Sequence, residues 1–281
     1  MSLYDDITNK IISEIESGTM PWLQPWKSGG KGDGVLPFNA ATGRVYNGIN
    51  TLVLWIEGEK YKSNGWVTYN QAKKLGGNVK KGEKSTQVVF WKFSKIKDEE
   101  TGEEKTIPFA RGYNIFNLDQ CEGIEYDQEE VEIQQCQALA LAKNNHVNLH
   151  HGGDKACFMP SLDIIKMPQQ SQFESIEHYN ATLDHELVHW SGGKDRLDRE
   201  FGKRFGDNAY AMEELVAEIG AAFLCAQQGI EGKLQHADYV ATWLKVLKAD
   251  KRAIFTAASK AQKAAEFLLE ADVMEDTQEA A

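Results

Sequence analysis

The run His185-Glu186-Leu187-Val188-His189 sets two histidines four residues apart. On a helix that spacing aims both imidazoles from one face at a single ion. Glu186, beside the first of them, is within reach of a water bound to that ion and can take its proton as general base, the arrangement of a metal-dependent hydrolase. Tyr179, Leu183, Leu187 and Val188 form the apolar face of a helix around the motif, and Ser191-Gly192-Gly193 turns the chain away after it. A hydrolytic zinc takes three protein ligands and keeps a fourth position open, so one more side chain is needed downstream. The segment Glu213-Glu214-Leu215-Val216-Ala217-Glu218 offers it. Leu215, Ile219, Ala222 and Phe223 form a core stripe, and Glu214, Glu218, Ala221 and Cys225 share the adjacent face. Carboxylates buried there are costly unless paired or bound to a metal. Glu214 is read as the third ligand and Glu218 as the acceptor for a ligand histidine's other N–H, with the reverse order open; Glu213 is expected to point elsewhere. Tyr210, one turn before Glu214, is a candidate donor to an oxyanion formed at the metal. Zinc suits this donor set, as do manganese and other divalent ions. His146, His150, His151, His178 and His236 have no ligand spacing.

The elements around these residues alternate helices with short strands, which predicts an α+β fold. Ile7, Ile11, Ile12 and Ile15 mark a helix over 4–18. Residues 22–47 are rich in Gly, Pro and Asn and read as loop. Residues 50–57 form a helix or a buried strand, 67–75 a short helix capped by Thr68, and 86–93 a strand returning at 107–116 past the charged turn 98–106. Beyond Gln128 come a helix, strands near 146–150, 155–159 and 161–167, the motif helix over 173–192, a helix over 208–228, and one or two more to 270; the acidic residues 271–281 are expected to fray. A boundary near residue 125 divides the chain into two domains, 1–125 and 126–281, the second holding the metal motif, and each is long enough to bury a core.

The net charge of −11 conceals an asymmetry. Residues 1–93 hold 12 Lys/Arg and 8 Asp/Glu, a net of +4, and the remaining 19 Lys/Arg and 34 Asp/Glu give −15. Five of the seven tryptophans also fall in 1–93. Basic groups that track phosphates, interleaved with flat rings on which bases stack, suit single-stranded DNA. The candidate contacts are Trp22, Trp26, Lys27, Lys31, Arg44, Tyr46, Trp66, Lys80, Lys81 and Lys84, with Trp55 assigned to the core; a fragment of 1–125 is expected to bind by itself. The four scattered cysteines suggest free thiols in a reducing compartment, and the lack of a long apolar run or basic-apolar leader predicts a cytoplasmic protein without a membrane partner.

The whole pattern resembles the ArdC antirestriction family of conjugative plasmids. In the first half the likeness rests on Pro21-Trp22…Pro25-Trp26, Pro37-Phe38-Asn39…Thr42-Gly43…Tyr46-Asn47-Gly48-Ile49-Asn50, Trp66-Val67-Thr68…Gln71-Ala72 and Lys80-Lys81-Gly82-Glu83. In the second it rests on Asp163-Ile164-Ile165…Pro168, His185 through Trp190, Arg196-Leu197-Asp198-Arg199 and Glu213 through Phe223. The resemblance implies an N-terminal domain that binds single-stranded DNA, joined to a zincin-like metallopeptidase domain that acts on an unidentified protein substrate as DNA enters a recipient cell. The rival expectation is a DNA-coating protein whose metal site is structural or inactive.

Overall fold

The computed structural model describes residues 2–22, 36–97, 104–125, 137–202, 208–230 and 239–279, with side chains for all of these except 93–97, 104–108, 137 and 271–279. The first helix, α1 (Leu3–Glu16), begins at a capping box in which Ser2 accepts from the Asp5 N–H and the Asp5 carboxylate accepts from the Ser2 N–H, so two helix-start donors are satisfied. Its stripe Ile7, Ile11, Ile12 and Ile15 is buried. There follow β1 (Phe38–Asn39), α2 (Ile49–Gly58), β2 (Gly65–Val67), α3 (Tyr69–Lys74), β3 (Asn78–Val79), β4 (Thr86–Lys97), β5 (Glu104–Asn117) and β6 (Cys121–Glu122). One sheet has the order β1-β2-β5-β4, with β1 parallel to β2 and the other pairs antiparallel; β3 and β6 form a second, small antiparallel pair. Helix, not strand, is the outcome for 49–58, because Leu52, Val53, Leu54 and Trp55 are all buried, on successive sides of the turn. From that helix Asn50 donates to the Val89 carbonyl at 2.7 Å and accepts from its N–H at 2.8 Å. Its amide thus acts as a short neighbouring strand on the edge of β4.

The second half contains α4 (Gln137–Asn144), β7 (Leu149–His151), β8 (Cys157–Met159), β9 (Ile164–Met167), α5 (Ile176–Ser191), α6 (Asn208–Gln228), α7 (Val240–Ala249) and α8 (Ala253–Glu279). The strands form a sheet of order β7-β9-β8, with β7 parallel and β8 antiparallel to β9. Helix α8 runs to Glu279, through the acidic stretch expected to fray. Helices α5 and α6 cross closely at Gly220, where a Cβ would stand 2.8 Å from Val188 Cγ2; glycine is what lets the two functional helices approach.

The architecture is α+β with two domains, yet the largest apolar cluster draws on both sides of residue 125. It joins Ile11, Trp22, Leu52, Trp55 and Val89 to Leu187, Phe223, Trp243, Ile254 and Leu268. Polar links cross as well: Thr8 Oγ1 donates to the Lys251 carbonyl at 2.7 Å and the Gly48 N–H to Gln262 Oε1 at 3.1 Å.

This packing corrects three of the proposed base-stacking residues. Trp22 is 1% exposed, edge-on to Trp243 with centroids 5.8 Å apart. Trp66 is 1% exposed and Tyr46 7%, both in a cluster with Leu54, Val88 and Ile115. Their large apolar area holds these rings inside, so no base can stack on them. Trp26, Lys27 and Lys31 lie outside the described residues, whereas Arg44, Lys80, Lys81 and Lys84 are exposed. Among the described residues no helix is long and apolar enough to cross a membrane.

Candidate metal centre

Helix α5 starts at Ser175, whose hydroxyl accepts from the His178 N–H, and is buried along nearly all of its last three turns. His185 and His189 thereby project from an immobilised helix toward α6. Their Nε2 atoms stand 3.1 Å apart. Glu214 Oε2 is 3.6 Å from His185 Nε2, and Glu214 Oε1 is 3.6 Å from His189 Nε2. One donor atom from each of the three residues lies within 4.8 Å of the others. Nitrogens bound at about 2.0–2.1 Å to a tetrahedral ion are about 3.3 Å apart, so the donors have both the types and the separation that a divalent cation needs.

The tautomer of His189 is fixed from behind. Its Nδ1–H donates to Glu213 Oε1 at 3.2 Å, so that once Nε2 gives up its proton its lone pair faces His185 and Glu214. For His189 the second carboxylate is therefore Glu213 and not Glu218, and the expectation that Glu213 points elsewhere is corrected. Glu213 and Glu214 are consecutive, about 100° apart around α6: Glu214 meets the Nε2 atoms from the front while Glu213 reaches His189 from the side. Glu218 is buried one turn further along.

Arg199 neutralises Glu213, donating through Nε at 3.0 Å to Oε2 and through Nη2 at 2.8 Å to Oε1, while Nη1 reaches Ser191 Oγ at 3.0 Å and Nη2 the Val188 carbonyl. The loop after α5 folds back to deliver it. A Cβ on Gly192 would meet the Arg199 guanidinium at 2.7 Å, and one on Gly193 would collide with Arg196. Arg196 lies over the Trp190 ring at 3.9 Å and pairs with both oxygens of Asp163. The glycine pair thus does more than turn the chain; it makes room for two arginines.

Burial pushes His189 down, but the Glu213 and Glu214 carboxylates outweigh it and carry the imidazole up to about 10. Burial raises the Glu214 carboxyl, and His185 and His189 more than reverse this, so it stays ionised. The negative charge that favours a proton here equally favours a divalent cation. Glu186 Oε2 accepts from the Phe158 N–H of β8 at 2.6 Å, so the strand bordering the site orients this carboxylate. Tyr210 pairs with Tyr239, hydroxyl to hydroxyl, at 3.2 Å; burial first, then Tyr239 and the Glu214 charge, raise its pKa and keep it protonated.

The structure thus brings His185, Glu186, His189, Tyr210 and Glu214 into one region. Sequence reasoning missed Glu213, Arg199 and Phe158. The Arg196-Leu197-Asp198-Arg199 block carried a signal, since its charges must find partners, but no spacing rule links it across an irregular loop to position 213.

Two family models match the chain: the N-terminal domain of the anti-restriction factor ArdC over residues 1–116, and a zincin-like metallopeptidase over 136–260. The chain is 38% identical to protein y4eC of Sinorhizobium fredii (strain NBRC 101917 / NGR234) over 95% of its own length and 91% of that protein's. It is 35% identical to a DNA primase TraC of Escherichia coli, of whose length it spans 27%. Crystal structures of the antirestriction protein ArdC from the R388 plasmid superpose closely. The metal-free form has a TM-score of 0.83 at 41% identity, and the Mn(II)-bound form 0.80 at 39%; each covers 96% of this chain and 98% of that one. Two halves matched in order, with likeness to a solved relative over nearly the full length of both, lead to one conclusion: the chain belongs to the ArdC antirestriction family.

Proposed function

We propose that this protein binds incoming single-stranded DNA without sequence preference and carries a divalent-metal-dependent peptidase site, so protecting plasmid DNA from restriction. The observation that carries the enzymatic reading is the convergence of His185, His189 and Glu214 on one point, with Glu186 beside them on the same helix and held by the N–H of Phe158 on the neighbouring strand. The DNA reading is supported by the basic excess of residues 1–93 and the match to the ArdC N-terminal domain. Zinc fits the donors, and the Mn(II) form of the related protein supports manganese as a second candidate.

In this reading His185, His189 and Glu214 hold the ion. Bound there, it supplies a Lewis acid that acidifies water and polarises a peptide carbonyl. Glu186 accepts the proton from the attacking water and delivers it to the departing amine. The bond from Phe158 holds one oxygen of Glu186 and leaves the other for this exchange. Glu213 keeps His189 in the ligating tautomer, and Tyr210, kept protonated, donates to the developing oxyanion.

Glu186→Gln tests the mechanism. It should keep the fold and the ion while abolishing cleavage of a denatured protein or peptide library by the metal-loaded protein. Turnover retained by this variant would remove Glu186 from the reaction. Antirestriction retained without turnover would favour protection by coating alone.

A further inference from the structure

The buried tryptophans leave open which surface presents rings to DNA, and the β4–β5 hairpin supplies a specific answer. Register pairs Thr86 with Ile115, Val88 with Tyr113, Phe90 with Arg111 and Lys92 with Phe109. Directly opposite residues of an antiparallel pair lie on one face, so these rungs form a single stripe. At Thr86, Val88 and Ile115 the stripe is buried, closing over the Trp66 cluster. It then emerges: Phe90 is 46% and Phe109 43% exposed. Tyr113, half-buried, meets Phe90 edge-on at 5.3 Å and lies under the Arg111 guanidinium at 5.4 Å. The intervening residues face the other way, where Val89 is buried and Trp91, itself 45% exposed, stands alone with Tyr4 at 6.1 Å between ring centroids and has, among the described residues, no second exposed ring in register on that face.

We propose that single-stranded DNA crosses this face, its bases stacking on Phe90, Phe109 and Tyr113 and its phosphates meeting Lys92 and Arg111. The proposal rests on the DNA-binding reading above and locates it. Exposed phenylalanines clustered on a sheet mark an interaction surface. The choice of occupant follows from charge: over 86–92 and 109–117 the hairpin carries two cations and no carboxylate. The rungs are spaced roughly 6.8 Å apart along the strands, and on two of the three that bear rings a cation stands directly across, Arg111 from Phe90 and Lys92 from Phe109, which suits alternating base and phosphate contacts better than a neutral protein surface does. By sequence the segment joining the strands carries Asp98, Glu99, Glu100 and Glu103, and carboxylates repel phosphate, so the DNA is placed across the paired residues 86–92 and 109–115.

The test uses the full-length protein and a fluorescein-labelled oligothymidylate followed by anisotropy. Phe90→Ala with Phe109→Ala should weaken binding on the order of 10- to 100-fold. Arg111→Gln should flatten the dependence of log Kd on log salt by about one phosphate contact. Both ring substitutions are at exposed positions, and unchanged thermal unfolding would verify the fold. Photocrosslinking of a bromodeoxyuridine oligonucleotide to the unmutated protein should label peptides spanning 86–92 or 109–117. If the parent protein binds and the variants bind as well as it does, this face is not the platform, although DNA binding stands. If they bind as well but lose a dimer seen in the parent, the face pairs two copies of the chain and the proposal fails. Failure of the parent protein itself to bind would overturn both the platform and the DNA reading.

Discussion

Asp184 immediately precedes the first motif histidine and is 0% exposed. Its Oδ1 accepts from Gln228 Nε2 at 3.1 Å, and its Oδ2 from the Cys225 thiol at 3.6 Å. Burial raises this carboxyl from 3.8 to about 8, against the smaller opposing pull of Gln228 and Cys225. The folded chain therefore holds a proton that the unfolded chain releases above pH 4. Stability from this proton is complete below the unfolded value and declines by about 1.4 kcal/mol per pH unit until the folded value is reached. At pH 7, about three units above the unfolded value, the loss is roughly 4 kcal/mol. Asp184→Asn keeps the shape and the acceptor for Gln228 but has no proton to lose. With chelator present to exclude metal effects, urea unfolding followed by tryptophan fluorescence should show the variant gaining on the parent steadily from pH 5 to pH 8. At pH 7 the advantage should be on the order of 3 kcal/mol after some loss in the contact with Cys225. Other groups titrate equally in both proteins and cancel in the difference. A difference that stays flat across that range would show that Asp184 is ionised in the fold and would refute the reasoning.

Three further outcomes follow from the metal centre and the core. Glu213→Gln should weaken divalent-ion binding by about 10- to 100-fold, measured by competition with a chelating dye, because the amide no longer fixes His189 with a charged acceptor. Since His189 is held up to about 10 by its carboxylates, the ion must displace its proton. Apparent affinity should fall about tenfold for each unit that pH drops below that value, and calorimetry in two buffers should show about one proton released per ion. Trp22→Ala should cost about 3–5 kcal/mol in unfolding free energy, and failure to destabilise would contradict its place against Trp243.

The helices were largely legible because their signals are local. Asn208–Gln228 follows from its apolar stripe, and Thr68 announces α3 through a capping box that the structure contains. The donor set of the metal centre was legible for the same reason, two of its residues being one helical turn apart. What escaped depends on contacts between distant segments. Consecutive Glu213 and Glu214 receive different tasks only because α5 crosses α6 at Gly220. Trp22, in a Gly- and Pro-rich stretch with lysines after it, has the local features of an exposed ring, and only the later arrival of Trp243 makes it core. The alternation of Val89 and Trp91 against Phe90 and Lys92 was visible, but which face the protein itself would cover was not.

The core that crosses residue 125 also changes how the halves can be handled. Cut away from α6, α7 and α8, a fragment of 1–125 would leave the isoleucine face of α1, Trp22 and Trp55 without their partners, so the fragment envisaged from charge and tryptophan content is not expected to fold independently. Cohesion of this kind makes every ligand a stabiliser of the whole. An ion taken up between α5 and α6 strengthens only the native form, and because α8 packs on those helices and on α2, slower amide exchange should spread from the zincin-like half into α1, α2 and β4. Occupancy at the metal centre is thereby registered in the N-terminal half, through shared resistance to opening, without any displacement of one half relative to the other.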